Sequence, residues 1–266
     1  MSPEAAGSGS PFTSPRDEGG YVPPDFRIVI LCGSAGALSA YIEILRAVPA
    51  DSGMAFVILT HHRIEAPCWL VQILTHETRM HVEEIVDGTV LRPNCVYIGP
   101  AGMDLTTDGE ALWLEPASRL KGWPNTFDLF LDSVARNTLG RAVTVILSGL
   151  AQDGSAALGI LKTNGGMNYA QANASSDSMP RSAIATGKVD YVGSPVEIIA
   201  AICKLPPLVD FLRVLAAKRI RVLIEKEHAP IEKCMEFLRT TMIAIGKSHA
   251  VLHESDRVIA RMMSLA

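Results

Sequence analysis

The hydrophobic positions change period along the chain. Phe26-Arg-Ile-Val-Ile-Leu-Cys32 is a short, almost fully apolar run of β-prone residues, the pattern of a strand buried on both faces. Gly33 to Gly36 interrupts it, and then Leu38, Tyr41, Ile42, Leu45 and Val48 recur at helical spacing before Pro49. A second strand at 54–60 is followed by a loop and a helix at 67–76. Short strands are predicted at 82–86 and 95–98, and Asp108-Gly109 between 105–107 and 111–114 signals a hairpin. Further on the pattern predicts helices at 126–137, 155–163, 181–186 and 195–203, alternating with strands at 141–147, 167–171 and 189–192. Thr126 is a candidate N-cap, and Gly165-Gly166 a helix stop. Such alternation predicts an α/β fold built on a doubly wound, mainly parallel sheet, with an antiparallel hairpin at one edge.

The two ends differ from this middle. Residues 1–24 are rich in Ser, Gly and Pro and are expected to form a disordered leader. Beyond Pro206-Pro207 no strand pattern remains, and residues 208–226 are expected to form a helix. Ile231, Met235, Leu238, Met242, Ile245, Leu252, Ile259 and Met263 repeat at three-four spacing, a long amphipathic helix with His249 and Asp256 in its seam. Its stripe needs a partner, either the preceding helix or a second subunit. The expected divisions are therefore 1–24, a domain over 25–204, and a helical extension over 205–266.

Composition narrows the class. A net charge of -4 with 20% charged residues leaves no footprint for nucleic acid and no basic stripe for an anionic membrane. No apolar run reaches membrane-spanning length. Five widely spaced cysteines without a CxxC pair argue against a disulfide framework or a zinc site, and for reduced thiols in the cytoplasm.

Three residues at predicted strand ends carry candidate chemistry. Ser34 lies where the first strand turns into a helix, in Cys32-Gly33-Ser34-Ala35-Gly36. Small neighbours allow close approach there. The helix N-terminus favours developing negative charge, and the N–H of Ala35 is a candidate oxyanion donor. From the turn alone, a nucleophile, a phosphate-binding turn and a serine that only caps its helix all remain open. His61 ends the second strand with His62 beside it, and a serine nucleophile needs such a base. Asp153, in Ser148-Gly149-Leu150-Ala151-Gln152-Asp153-Gly154, could orient that imidazole or could cap the following helix. All three fall at the carboxyl ends of parallel strands, where open α/β sheets place their sites.

These motifs resemble the catalytic domain of bacterial chemotaxis protein-glutamate methylesterases. The family's G-A-S-[AT]-G-G turn is similar to Cys32–Ala37, its Q-H-M to Thr60-His61-His62, and its T-G-M-G-x-D-G to Ser148–Gly154. Asn125–Asp128, Gly165-Gly166 with Gln171, Met179-Pro180-Arg181 with Ala183, Gly187 and Asp190, and Val96–Pro100 extend the likeness over about residues 26–203. The resemblance implies a Rossmann-like three-layer domain, a triad of Ser34, His61 and Asp153, and an oxyanion and substrate groove formed by Ala35, Gly36, Leu150, Met179 and Arg181. It implies hydrolysis of glutamate methyl esters on a methylated chemoreceptor or similar signalling protein, with glutamine deamidation as a side activity. The chemistry requires no metal or organic cofactor. Departures from the family fall at Cys32, Ala37, Thr60, Leu150 and Ala151. Family members usually carry an N-terminal receiver domain that gates the site. With residues 1–24 ahead of the first strand, the expectation is a catalytic domain without that gate in cis. A second class stays open: a binding or scaffold protein that keeps the fold and recruits a partner, or forms a homodimer, through its C-terminal helices. A nucleotide-binding domain is a third, though the chain lacks both the dinucleotide fingerprint and a Walker loop.

Overall fold

The computed structural model describes residues 25–61, 69–117, 126–138, 140–150 and 152–208. The leader at 1–24, the helices beyond 208, the start of the helix at 67, His62, Asn125 and Ala151 lie outside the described residues, as do Cys68 and Cys234.

The described elements run β1 (Ile28–Gly33), α1 (Leu38–Ala47), β2 (Ala55–Thr60), α2 (Trp69–Thr75), β3 (His81–Glu84), β4 (Thr89–Val90), β5 (Cys95–Ile98), β6 (Met103–Thr107), β7 (Ala111–Pro116), α3 (Thr126–Asn137), β8 (Ala142–Ile146), α4 (Leu158–Thr163), β9 (Met167–Gln171), α5 (Ser178–Ala185), β10 (Tyr191–Gly193) and α6 (Pro195–Cys203). Seven strands form one sheet in the order β10-β9-β8-β1-β2-β5-β3, every neighbouring pair parallel. The chain winds outward from β1 in both directions, so the strand order reverses between β1 and β8. In doubly wound sheets that reversal leaves a crevice beyond the strands' carboxyl ends.

Burial on two faces explains the unbroken apolar reading of β1. Val29 and Leu31 pack with Tyr41 and Ile44 of α1, Leu74 of α2 and Ile198 of α6. Ile28, Ile30 and Cys32 pack with Phe127 and Phe130 of α3, Leu158 of α4 and Met179 of α5. The result is three layers, helix over sheet over helix. The N-terminus of α6 is closed by a capping box of Ser194 and Glu197, with Pro195 in the first turn.

The hairpin predicted at Asp108-Gly109 is present between β6 and β7. Asp108 Oδ1 accepts the N–H groups of Glu110 and Ala111, and Gly109 takes φ +99°. With the two-residue β4, which the sequence reading missed, this hairpin forms a separate three-stranded antiparallel sheet, β4-β7-β6. The buried Arg141 ties it to the large sheet by donating to Gly109 O at 2.5 Å and to Thr138 O at 3.2 Å. Cys32 and Cys95 are buried free thiols, while the free thiol of Cys203 is exposed. Among the described residues, no helix is long and apolar enough to cross a membrane.

Candidate active site

Register brings Ser34 and His61 side by side. Gly33 pairs with Thr60 across β1 and β2, so the next residues on each strand are Ser34 and His61. Adjacent strands lie about 4.8 Å apart. On the other side of β1, Leu147 N–H donates to Cys32 O at 2.7 Å, and Ser34 N–H to Ser148 O at 2.8 Å. The pairing therefore runs on past the ends of both strands and fixes the backbone of Ser34.

The turn after Ser34 is made by small residues in close contact. A Cβ on Gly33 would stand 2.5 Å from Ala37 Cβ and 2.6 Å from the Tyr41 hydroxyl, so β1 and α1 approach this closely only with glycine there. Ala37, one of the departures from the family motif, is fully buried against that glycine. It is also the N-cap of α1, and no side chain caps the helix. The capping reading of Ser34 thus fails: its carbonyl accepts the Ala37 N–H at 3.1 Å, while its hydroxyl caps nothing.

His61 Nε2 lies 2.9 Å from Asp153 Oδ2, the two residues joined across 92 positions. A carboxylate can only accept in this pair, so Nε2–H is the donor, and the neutral tautomer that makes this bond has Nδ1 as its acceptor nitrogen. The imidazole stacks on the Phe127 ring with centroids 4.2 Å apart and an interplanar angle of 4°. Among the described residues, Ser34 makes no hydrogen bond to His61 in this state. Asp153 does cap a helix, but a different one from that which follows it. Its Oδ2 accepts from Phe127 N–H at 3.1 Å, and its Oδ1 from Asp128 N–H at 3.0 Å. These are the first free donors of α3, where a negative charge is favoured by the helix dipole. The Asp153 side chain is only 3% exposed. Next to it, Asp128 Oδ1 accepts from Ala157 N–H. Burial raises the Asp128 carboxyl above the usual carboxylate range, and the neighbouring Asp153 charge adds to the rise.

The remaining predicted residues separate into rim and support. Ala35 and Gly36 sit at the surface of the turn after Ser34, and no described residue takes up their N–H groups. Leu150 is 69% exposed at the tip of the loop after β8. Arg181 points outward from α5, facing Asp177 at 3.6 Å. Met179 does not line a surface groove, because it is fully buried in the first turn of α5. It packs behind Gly149, where a Cβ would fall 2.0 Å from Met179 Sδ and 3.3 Å from Ser34 Cβ. Gly149 is thus the thin point between Ser34 and the core. Substituting Gly149→Ala is expected to destabilise the domain by about 1–3 kcal/mol through overpacking, read from urea midpoints, and to displace Ser34.

Sequence reasoning did not foresee the stacking of Phe127. The only signal was the resemblance over Asn125–Asp128, which marked the segment without a role for its aromatic ring. The Ser148 hydroxyl was also missed.

The family profile described as CheB methylesterase matches residues 29–202. The protein-glutamate methylesterase FrzG of Myxococcus xanthus is 30% identical over 173 residues, covering 64% of this chain and 52% of its own length. A protein-glutamate methylesterase/protein-glutamine glutaminase of Moorella thermoacetica is 32% identical over 185 residues, 66% of this chain and 43% of its own. The chain thus spans about half the length of these curated relatives. The crystal structure of the Thermotoga maritima CheB methylesterase catalytic domain superposes with a TM-score of 0.62 at 25% identity, covering 68% of this chain and 99% of that one. The profile match covers more than half of the chain, and the chain belongs to the CheB methylesterase family.

Proposed function

We propose that the domain hydrolyses γ-methyl esters of glutamate side chains on a methylated chemoreceptor-like protein, with Ser34 as nucleophile. The observation that carries this reading is the pairing of His61 with a buried carboxylate beside the Ser34 turn. His61 Nδ1 takes the Ser34 proton as Oγ attacks the ester carbonyl. Among the described residues no hydrogen-bond partner holds the Ser34 hydroxyl, which leaves it available to that nitrogen. The imidazolium returns the proton to the leaving methoxide, and methanol departs. Water activated by the same nitrogen then hydrolyses the acyl-enzyme. Asp153 holds the tautomer and offsets the imidazolium charge. The unspent N–H groups of Ala35 and Gly36, with one from the Leu150 loop, are the oxyanion donors. The same attack on a side-chain amide gives glutamine deamidation, an activity carried in the name of the Moorella thermoacetica relative. The place of work is the cytoplasm, where such a receptor presents its methylated segment.

The test is methanol release from a methylated chemoreceptor preparation incubated with the purified chain. Release proportional to enzyme is the expected result. No release from any methylated protein, with partner capture intact, would favour the scaffold reading instead.

A further inference from the structure

A buried hydroxyl sits under the nucleophile turn and has no part in the triad. Ser148, two residues beyond β8, is fully buried. Its Oγ donates to Ala35 O at 2.7 Å and accepts from Ser176 N–H at 3.0 Å. It also lies 3.0 Å from Ser175 Oγ, which can donate to it. Ser176 O, at 3.3 Å, is a second and longer acceptor for the same single proton, and the shorter, better bond is the one to Ala35 O. Ser148 N–H is in turn held by Gln171 Oε1 at 2.9 Å, which anchors the residue to β9.

What this contact fixes follows from the planarity of the peptide unit. In a trans peptide, carbonyl and N–H point in opposite directions. With Ala35 O directed into the interior at Ser148, the Gly36 N–H of the same unit points out toward solvent. Gly36 has φ +75°, the left-handed region glycine enters readily. A peptide flanked by glycine in a tight turn can flip between two orientations of similar energy, the relation between type I and type II turns. Nothing in the glycine itself selects the outward N–H. Bulk cannot be added there either, since a Cβ on Gly36 would stand 2.1 Å from Ser175 Oγ and 2.9 Å from Ser148 Oγ.

We propose that Ser148 is a positioning residue that locks the Ala35–Gly36 peptide plane, through its hydrogen bond to Ala35 O, so that the Gly36 N–H stays available as an oxyanion donor. The catalytic consequence rests on the esterase reading above, whereas the lock itself does not. Loss of the hydroxyl frees the peptide to flip. The flipped state presents a carbonyl oxygen where the oxyanion forms, so it cannot turn over. The defect therefore falls on the chemical step rather than on binding.

The experiment compares the wild-type chain with Ser148→Ala and Ser148→Thr. Turnover is followed by methanol release from the methylated receptor preparation. The backbone is followed by ¹⁵N relaxation dispersion at Gly36, which reports microsecond-to-millisecond flipping and needs no turnover. Removal of the hydroxyl is expected to lower kcat on the order of 10- to 100-fold with KM little changed, and to give Gly36 a dispersion signal that the wild type lacks. The threonine variant keeps the hydroxyl and is expected to restore both, which a simple packing defect would not produce. A quiet Gly36 in Ser148→Ala, or a folded Ser148→Ala enzyme with unchanged kcat, overturns the proposal. If the wild type releases no methanol, the esterase reading fails, and the Gly36 dispersion alone decides whether the lock exists.

Discussion

Ser34→Ala is expected to lower ester hydrolysis by roughly 10⁴-fold or more while leaving the fold intact. The size of the loss reflects a change of mechanism: without Oγ no acyl-enzyme forms, and only direct attack by water within the site remains. The intact fold follows from what Ser34 contributes structurally. Its backbone N–H and carbonyl are bonded to Ser148 O and Ala37 N–H, and alanine keeps both bonds. Its side chain is half-buried and has no hydrogen bond among the described residues. The thermal midpoint should therefore move by no more than about 2 °C. Initial rates of methanol release, read beside a thermal melt, check both parts. A variant that kept its rate would remove Ser34 from the mechanism.

Asp153→Ala is expected to damage catalysis and stability together, because one carboxylate serves two structures. It is the acceptor for His61 Nε2 and for the N–H groups of Phe127 and Asp128. Alanine leaves one buried and one part-buried donor at the start of α3 without an acceptor, a loss of about 2–4 kcal/mol. It also frees the imidazole to take the wrong tautomer, worth on the order of 10³- to 10⁴-fold in rate. Asp153→Asn separates the two effects. Its amide oxygen can still cap α3, so most of the stability should return. A neutral amide offsets no imidazolium charge, so the rate should stay low. Denaturant midpoints and methanol release measured on both variants test this. Equal recovery of stability and rate in the asparagine variant would show that Asp153 acts only as a helix cap.

Both predictions depend on a site whose parts were unequally visible in the sequence. The strands were legible because the large sheet is buried on both faces, which leaves short apolar runs such as Ile28–Leu31 with little else to be. The helices over Leu38–Ala47, Thr126–Asn137 and Pro195–Cys203 were equally legible from spacing and end signals. Ser34, His61 and Asp153 stood out as polar residues at strand ends. Their roles did not follow from that, since each position had an equally ordinary structural explanation. For Ser34 the capping explanation fails against the N-cap at Ala37. For Asp153 capping proves real, but at α3, in addition to the bond with His61.

What the sequence alone determined is the alternation of strand and helix, the glycine-rich turns between them, and the residue types able to do acyl chemistry. These are local properties, written in periodicity and in backbone freedom over a few residues. Only the tertiary structure decided which groups meet. The β1–β2 register set Ser34 beside His61, and the return of the chain to β8 placed Asp153 within reach of both His61 and α3. The same return put Met179 behind Gly149 rather than in a groove, and Ser148 beneath Ala35. Each contact joins residues tens of positions apart, and no local pattern specifies such a pair. It is fixed when the sheet closes around β1 and the buried polar groups take the partners that closure leaves within reach.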